Sequence, residues 1–470
     1  MNAQGSAAAP IERLLGDFVP DFNFTPAPPI PVSEYADRMR KLKREAVSAN
    51  LDVIVVHCDT VGWFHAAHAY LRYLCDWMRE GVLIIPVDEG AEPVLLSFFT
   101  QSVILPPGGE PVGIDRILQI GAVGREYADI PGDSGQKTVD ATVKLLTDTG
   151  ALRGSIGFIG DKRSAAFRTA LTAAMPGAKF SDQHGILDRM QRNRTPPEIA
   201  VFRTAAQLIS IATQAAYHVA RPGVTDYEIF AAFTMAQMAR GGETGDGYQI
   251  GANEWGTHCG KPYGRRMRKG DLANLYVSNV TYQGYTAQTA RMFAFGDLTA
   301  RQELVLEACT RGVKAAEKLI RPGTLIRDLN NAAFESYVDA GLLKDPEART
   351  MPYNWSTAPD GGPREIPRQY VPDADYEAQG RRLMHVYPAT FGPHNPNLGH
   401  SVGMAGGQNA FNISSHNYDQ LEEGMVFVLH TQWLEPMSAG CNLGDMYAVT
   451  AEGFENLSRH TPLETFRVPA

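Results

Sequence analysis

The stretch I-G-A-N-E-W-G-T-H-C-G at 250–260, a basic turn at 261–269, and G-D-L-A-N-L-Y-V-S-N-V-T-Y-Q-G-Y-T-A-Q-T-A-R-M-F at 270–293 decide the fold. It reads as a strand running into a loop histidine, His258, then a turn, then two paired strands. Leu272 to Val280 is largely apolar, Gly284 makes the tight turn, and the return strand carries Gln288 and Arg291. The basic run R-R-M-R-K at 265–269 reads as a solvated hairpin tip, or as an inward arginine that binds a carboxylate or phenolate.

Either side of the hairpin lies a repeated pattern of helix, Pro-Gly stop and helix. The R-P-G turns stand at 221–223 and 321–323, and strands follow each copy. Two copies imply a pseudo-twofold domain with its site on the strands between the halves. Upstream, R-N-R-T-P-P-E-I-A-V-F at 192–202 predicts a helix start with Thr195 as N-cap, Pro196 at the first helical position and Glu198 in the first turn.

Towards the N-terminus, helical and strand patterns alternate up to about Ile186. Ser33 is expected to cap the first helix, and 51–57, 81–87 and 93–99 read as buried strands, giving an α/β domain with a mixed sheet. The segment 61–80 is dense in Trp63, His65, His68, Arg72, Trp77 and Arg79, a frequent setting for ligand contacts after a strand. Residues 1–32, rich in Pro, Ala and Phe, read as an extended arm. The expected division is 1–32 arm, 33–187 N-terminal domain and 188–470 catalytic domain, with a loop-like insertion at 344–380 that carries Tyr353, Trp355 and Tyr370 as a lid or pocket wall.

The chain of 470 residues is 44% hydrophobic and 20% charged, enough apolar residue for a large core. A net charge of −9 argues against a nucleic-acid partner. No apolar run reaches the ~18–20 residues of a membrane span, and no signal peptide is visible. Five widely spaced cysteines without a C-x-x-C pair fit reduced thiols in a cytoplasm, and Cys259 beside His258 is the one with a nucleophile reading.

Together the hairpin, the entry motif and the repeat resemble the pita-bread fold of methionine aminopeptidase, aminopeptidase P, prolidase and creatinase. The resemblance covers roughly 190–460 well and the N-terminal part loosely, and implies an α/β (α+β) protein: a creatinase-like N-terminal domain followed by a pseudo-twofold catalytic domain. In the metallopeptidases of that group five side chains hold two metal ions. Here the two hairpin aspartate positions fall on Val277 and Gln288, or on Tyr276 or Ser278 if the first strand slips. The turn N-L-G-H-S-V-G at 397–403 matches the first ligand histidine with His400, and the second falls on Gly407. The glutamate positions hold His430 and Gly444, with Asp445 next to the latter. Two divalent ions need several anionic oxygens, and Val277 and Gln288 supply none, so neither a metal nor another cofactor is expected.

The resemblance places His258 at creatinase's acid–base histidine. The glutamates with which creatinase holds its guanidinium fall on Ala290 and His430, so creatine is not the expected substrate. Dimethylsulfoniopropionate lyases of the same fold use metal carboxylates absent here. The site reading is therefore catalytic His258, His430, His400 and Gln288, with Trp255, Tyr276, Tyr285, Arg291, Arg72, Trp77, Arg79, Tyr353 and Trp355 binding substrate. The expected function is a metal-independent lyase acting on a small aromatic compound, such as formaldehyde-releasing C–C cleavage of a lignin-derived aryl compound. Alternatives are a creatinase-like C–N hydrolase on a non-guanidinium substrate and a non-catalytic binding module. A cytoplasmic homodimer with a shared site is expected, because in creatinase-like dimers the region matching 61–80 reaches the partner's site.

Overall fold

The computed structural model of the protein describes residues 14–58, 69–78, 80–97, 114, 116–120, 133–160, 164–244, 249–252, 262, 264–343, 368–386, 397–404, 410–433, 435 and 438–469. The chain divides into two compact units, one of Pro28–Arg192 with Gly403–Ala410, the other of Met1–Ala27, Asn193–Val402 and Phe411–Ala470.

The first unit opens with α1 (Val32–Ser48), whose buried residues Tyr35, Arg38, Leu42 and Ala46 recur at helical spacing. Its N-cap is Pro31, without a side-chain cap, and the expected cap Ser33 lies exposed inside the first turn. Six strands follow: β1 (Val53–Cys58), β2 (Gly81–Pro86), β3 (Val94–Ser97), β4 (Arg116–Gln119), β5 (Ser155–Ile159) and β6 (Lys179–Asp182). They order as β4-β3-β2-β1-β5-β6. The sheet is mixed, with β1 antiparallel to β2 and parallel to β5. Helices α2 (Ala69–Cys75), α3 (Asp133–Asp148), α4 (Ala165–Ala174) and α5 (His184–Met190) complete the unit. Val53, Val55, Ile84, Phe158 and Leu171 share one core, as alternating β positions and an apolar helix stripe must.

The second unit begins with α6 (Pro196–Val219), capped as the sequence predicts: the Glu198 carboxylate accepts from the Thr195 backbone N–H at 2.9 Å. Such a cap is worth about 1 kcal/mol. The Pro-Gly turn leads into α7 (Asp226–Met238), and then come β7 (Glu243–Thr244), β8 (Gln249–Gly251) and the hairpin β9 (Leu272–Tyr282) and β10 (Tyr285–Phe295). The second copy of the repeat is α8 (Ala300–Glu317) and α9 (Ile326–Asp339). Beyond it lie β11 (Arg368–Val371), α10 (Ala374–Glu377), β12 (Leu383–Val386), β13 (Gly399–Ser401), β14 (Asn412–Ile413), β15 (Val426–Trp433), β16 (Cys441–Val449), β17 (Phe454–Asn456) and β18 (Phe466–Val468).

The two R-P-G turns are held alike. Gly223 has φ 93° and Gly323 φ 85°, conformations that favour glycine. The Gly223 N–H donates to Met267 O at 2.8 Å and the Gly323 N–H to Leu421 O at 2.9 Å. The ten-stranded sheet runs β14-β13-β15-β16-β10-β9-β7, with β17 on β16, β18 on β10 and β8 on β9. Helix α6 packs on β9 and β10, and α8 on β15 and β16.

Three local expectations change. The Arg265 guanidinium is buried against Asp271 at 2.6 Å rather than solvated at a hairpin tip. Residues 368–377, expected as loop, include β11 and α10, the latter capped by the Asp373 carboxylate. Residues 14–27, expected as an unanchored arm, lie on their own unit: Leu15, Phe18, Phe22 and Phe24 pack against Ile211, Ala215 and Ala236.

Candidate active site

Strand alternation sorts the side chains of β15 and β16. The Thr431 hydroxyl donates to Cys309 O of α8 at 2.9 Å, and Trp433, Cys441 and Leu443 share a core with Val305, Cys309 and Val313 of that helix. Their neighbours His430, Gln432, Asn442 and Gly444 therefore face the other side of the sheet. His430 pairs with Gly444, Gly444 with Ala290 and Ala290 with Tyr276, so one rung crosses four strands. Between Val280 and Val277 the hairpin is bulged, with Ser278 and Asn279 opposite the single, buried Gln288.

His400 lies on β13 beside this rung. Its ring centroid is 5.5 Å from that of His430, at an interplanar angle of 70°. Its Nδ1 lies 2.8 Å from Ser401 O. A carbonyl can only accept, so Nδ1 carries the proton and Nε2 keeps its lone pair. Burial pushes the His400 pKa below its ordinary 6.5, the Ser401 hydrogen bond opposing in part. The Gln432 side-chain nitrogen donates to His430 Nδ1 at 3.1 Å, which leaves the proton of a neutral His430 on Nε2. The two imidazoles thus present complementary edges, one a base and the other a donor.

Several residues expected in the pocket are used elsewhere. Arg291 is fully buried, paired with Asp445, and donates to Gly444 O at 2.6 Å and Thr461 O at 2.8 Å. Its guanidinium is thus engaged by groups of the protein itself. Tyr285, also buried, donates its hydroxyl to Glu198 Oε1 at 3.0 Å and packs edge-on against Phe202. In the first unit Arg72 and Trp77 are buried, with Arg72 Nε 3.8 Å from Asp76. His258, Trp255, Cys259, Trp63, His65, His68, Arg79, Tyr353, Trp355 and Gly407 lie outside the described residues, as does the Tyr276 side chain. Gln432 and Asn442 were missed, although the alternation in H-T-Q and N-L-G already puts both on the face of His430.

The fold and the rung define a pita-bread protein. A family model for the metallopeptidases of family M24 matches residues 200–451, more than half of the sequence, and the chain belongs to that family. It is 25% identical over 333 residues to an uncharacterized hydrolase/peptidase of Sinorhizobium fredii, spanning 67% of this chain and 79% of the relative. It is 22% identical over 314 residues to an Xaa-Pro dipeptidase of Lactobacillus helveticus, spanning 66% and 71%. Among solved structures, an Xaa-Pro dipeptidase from Bacillus anthracis superposes with a TM-score of 0.66 at 17% identity, over 92% of this chain and 100% of that one. An X-Pro aminopeptidase from Thermotoga maritima gives 0.64 at 16%, over 92% and 99%. These structural likenesses carry the fold.

The comparisons overturn the lyase reading. Relatives named hydrolase/peptidase and dipeptidase add water across C–N bonds, so neither carbon–carbon cleavage nor aromatic-compound catabolism stands. The family also implies a pair of metal ions, and the residues present do not fit one. Among the described residues no three His, Cys, Asp or Glu side chains converge. A side chain at Gly444 would meet His430 Cβ at 2.5 Å, and the Asp445 carboxylate is taken by Arg291 and, at 3.2 Å, Asn456. Among the described residues no helix is long and apolar enough to cross a membrane.

Proposed function

We propose that this protein hydrolyses a C–N bond of a small, uncharged substrate by histidine acid–base chemistry. The observation that carries the reading is the His400–His430 pair, a half-buried and a buried imidazole with ring centroids 5.5 Å apart in complementary tautomers. In this scheme His400 Nε2 takes a proton from water as the water oxygen attacks the substrate carbonyl carbon. The Nε2–H of neutral His430 donates to the developing oxyanion, which needs no net charge on the ring. As the C–N bond breaks, His258 protonates the leaving nitrogen, and the proton on His400 returns to it through solvent. Gln288, buried at the hairpin bulge, orients the substrate.

Names of relatives support hydrolysis over other chemistry. The test is a panel of small amides and dipeptides in 18O-labelled water. Label in the carboxylic product, lost in His400→Gln, is the expected result; turnover without label overturns hydrolysis. We further infer a cytoplasmic homodimer, checked by light scattering of the purified chain; a monomeric mass refutes the dimer.

A further inference from the structure

We infer that Gln432 and Asn442 form a substrate-reading pair of acceptors beside His430, and that the group they receive is an uncharged, N–H-bearing one of the primary-amide or urea type. The inference rests on the His430 face being the substrate site, and not on the hydrolytic step.

The two residues are directly opposite on β15 and β16, one rung along the same face from His430 and Gly444. Gln432 is 8% exposed and Asn442 2%. Gln432 Oε1 and Asn442 Oδ1 each lack a hydrogen-bond partner. Buried amide oxygens are rarely left so, because burial removes their water without replacing it. The nitrogen end of the Gln432 amide lies on His430 Nδ1, so Oε1 is the end left over. Two neighbouring buried oxygens therefore call for donors from outside the chain.

Charge decides which donors. Gln432 and Asn442 are neutral, and Asp445, next to them on β16, faces the other side of the sheet and is neutralised by Arg291. An ammonium or guanidinium would be buried without a counter-charge, which is costly, whereas a neutral NH2 has only its hydrogen bonds to satisfy.

The experiment is calorimetric binding of three probes to the full chain: butylurea, its terminally N,N-dimethylated analogue and butylguanidinium. Butylurea should bind about tenfold more tightly than the dimethylated analogue, the effect of one or two neutral hydrogen bonds. Asn442→Leu should erase that difference, and Asn442→Asp should turn the preference to butylguanidinium. Equal binding of the two ureas, no binding of any probe, or an unchanged preference in Asn442→Asp overturns the inference. Should Asn442→Leu fail to fold, the three wild-type affinities still decide. Amide hydrolysis without the binding preference would sink this inference alone, and the preference without turnover would sink only the hydrolysis.

Discussion

A Cβ carried by residue 444 would lie 2.5 Å from the Cβ of His430. The rung therefore closes on a glycine, and a carboxylate cannot be restored there without moving β15 from β16. Gly444→Glu should destabilise the protein by about 1–3 kcal/mol, as overpacking does. Gly444→Glu combined with His430→Glu should still bind no ion pair, because the hairpin offers Val277 and Gln288. Melting temperature and elemental analysis check both statements. Wild-type protein carrying two tight ions per chain would refute the account of the donor set.

His400 sets a pH dependence. Its folded pKa is lowered, so the unfolded chain takes up a proton near 6.5 while the folded chain does so only at lower pH. The stability it contributes is complete above pH 6.5 and is lost as pH falls through the folded value. The base must also be neutral to act, so the acid limb of the rate profile should lie below pH 6.5. His400→Gln should remove the limb together with most of the activity. An acid limb above pH 6.5 would reassign the base.

Asp445 tests the buried ion pair. Asp445→Ala leaves Arg291 charged and fully buried, and should cost about 3–5 kcal/mol in denaturant unfolding. If stability held and only substrate affinity fell, Arg291 would belong to the pocket after all.

For His258, the alanine variant should lower turnover by about 10²–10⁴-fold, the usual contribution of a general acid or base. Its melting temperature should stay within a degree or so of wild type, as expected if the loop reading of the sequence around it holds. Near-wild-type turnover would hand proton delivery to another group.

Where the residues themselves encode geometry, the structure matches the reading. The R-P-G turns, the hairpin about Gly284 and the Thr195–Glu198 cap all follow from local backbone preferences, which a sequence displays directly. Partner choice is not local. Arg291 looked like a pocket cation because Asp445, 154 positions away, gives no sign of which arginine it will meet. Ser33 lost its expected role to Pro31 because helix ends are set within one or two residues by the surrounding packing. The hairpin bulge was invisible because an extra residue in β9 changes no residue type. Gln432 and Asn442 are within reach of strand alternation, but neither titrates, so residue type alone does not mark them as site groups.

The paired R-P-G turns have a consequence for how such a chain can change. Each is tied by backbone hydrogen bonds to a segment that precedes a central strand, Met267 before β9 and Leu421 before β15. The lashings that hold each half in register are thus made by main-chain atoms and two glycines, none of them on the rung of His430. A change of side chain on that rung, even one that strains β15 against β16, leaves these ties in place. A scaffold fastened in this way can outlive the chemistry it first carried and be refitted for another.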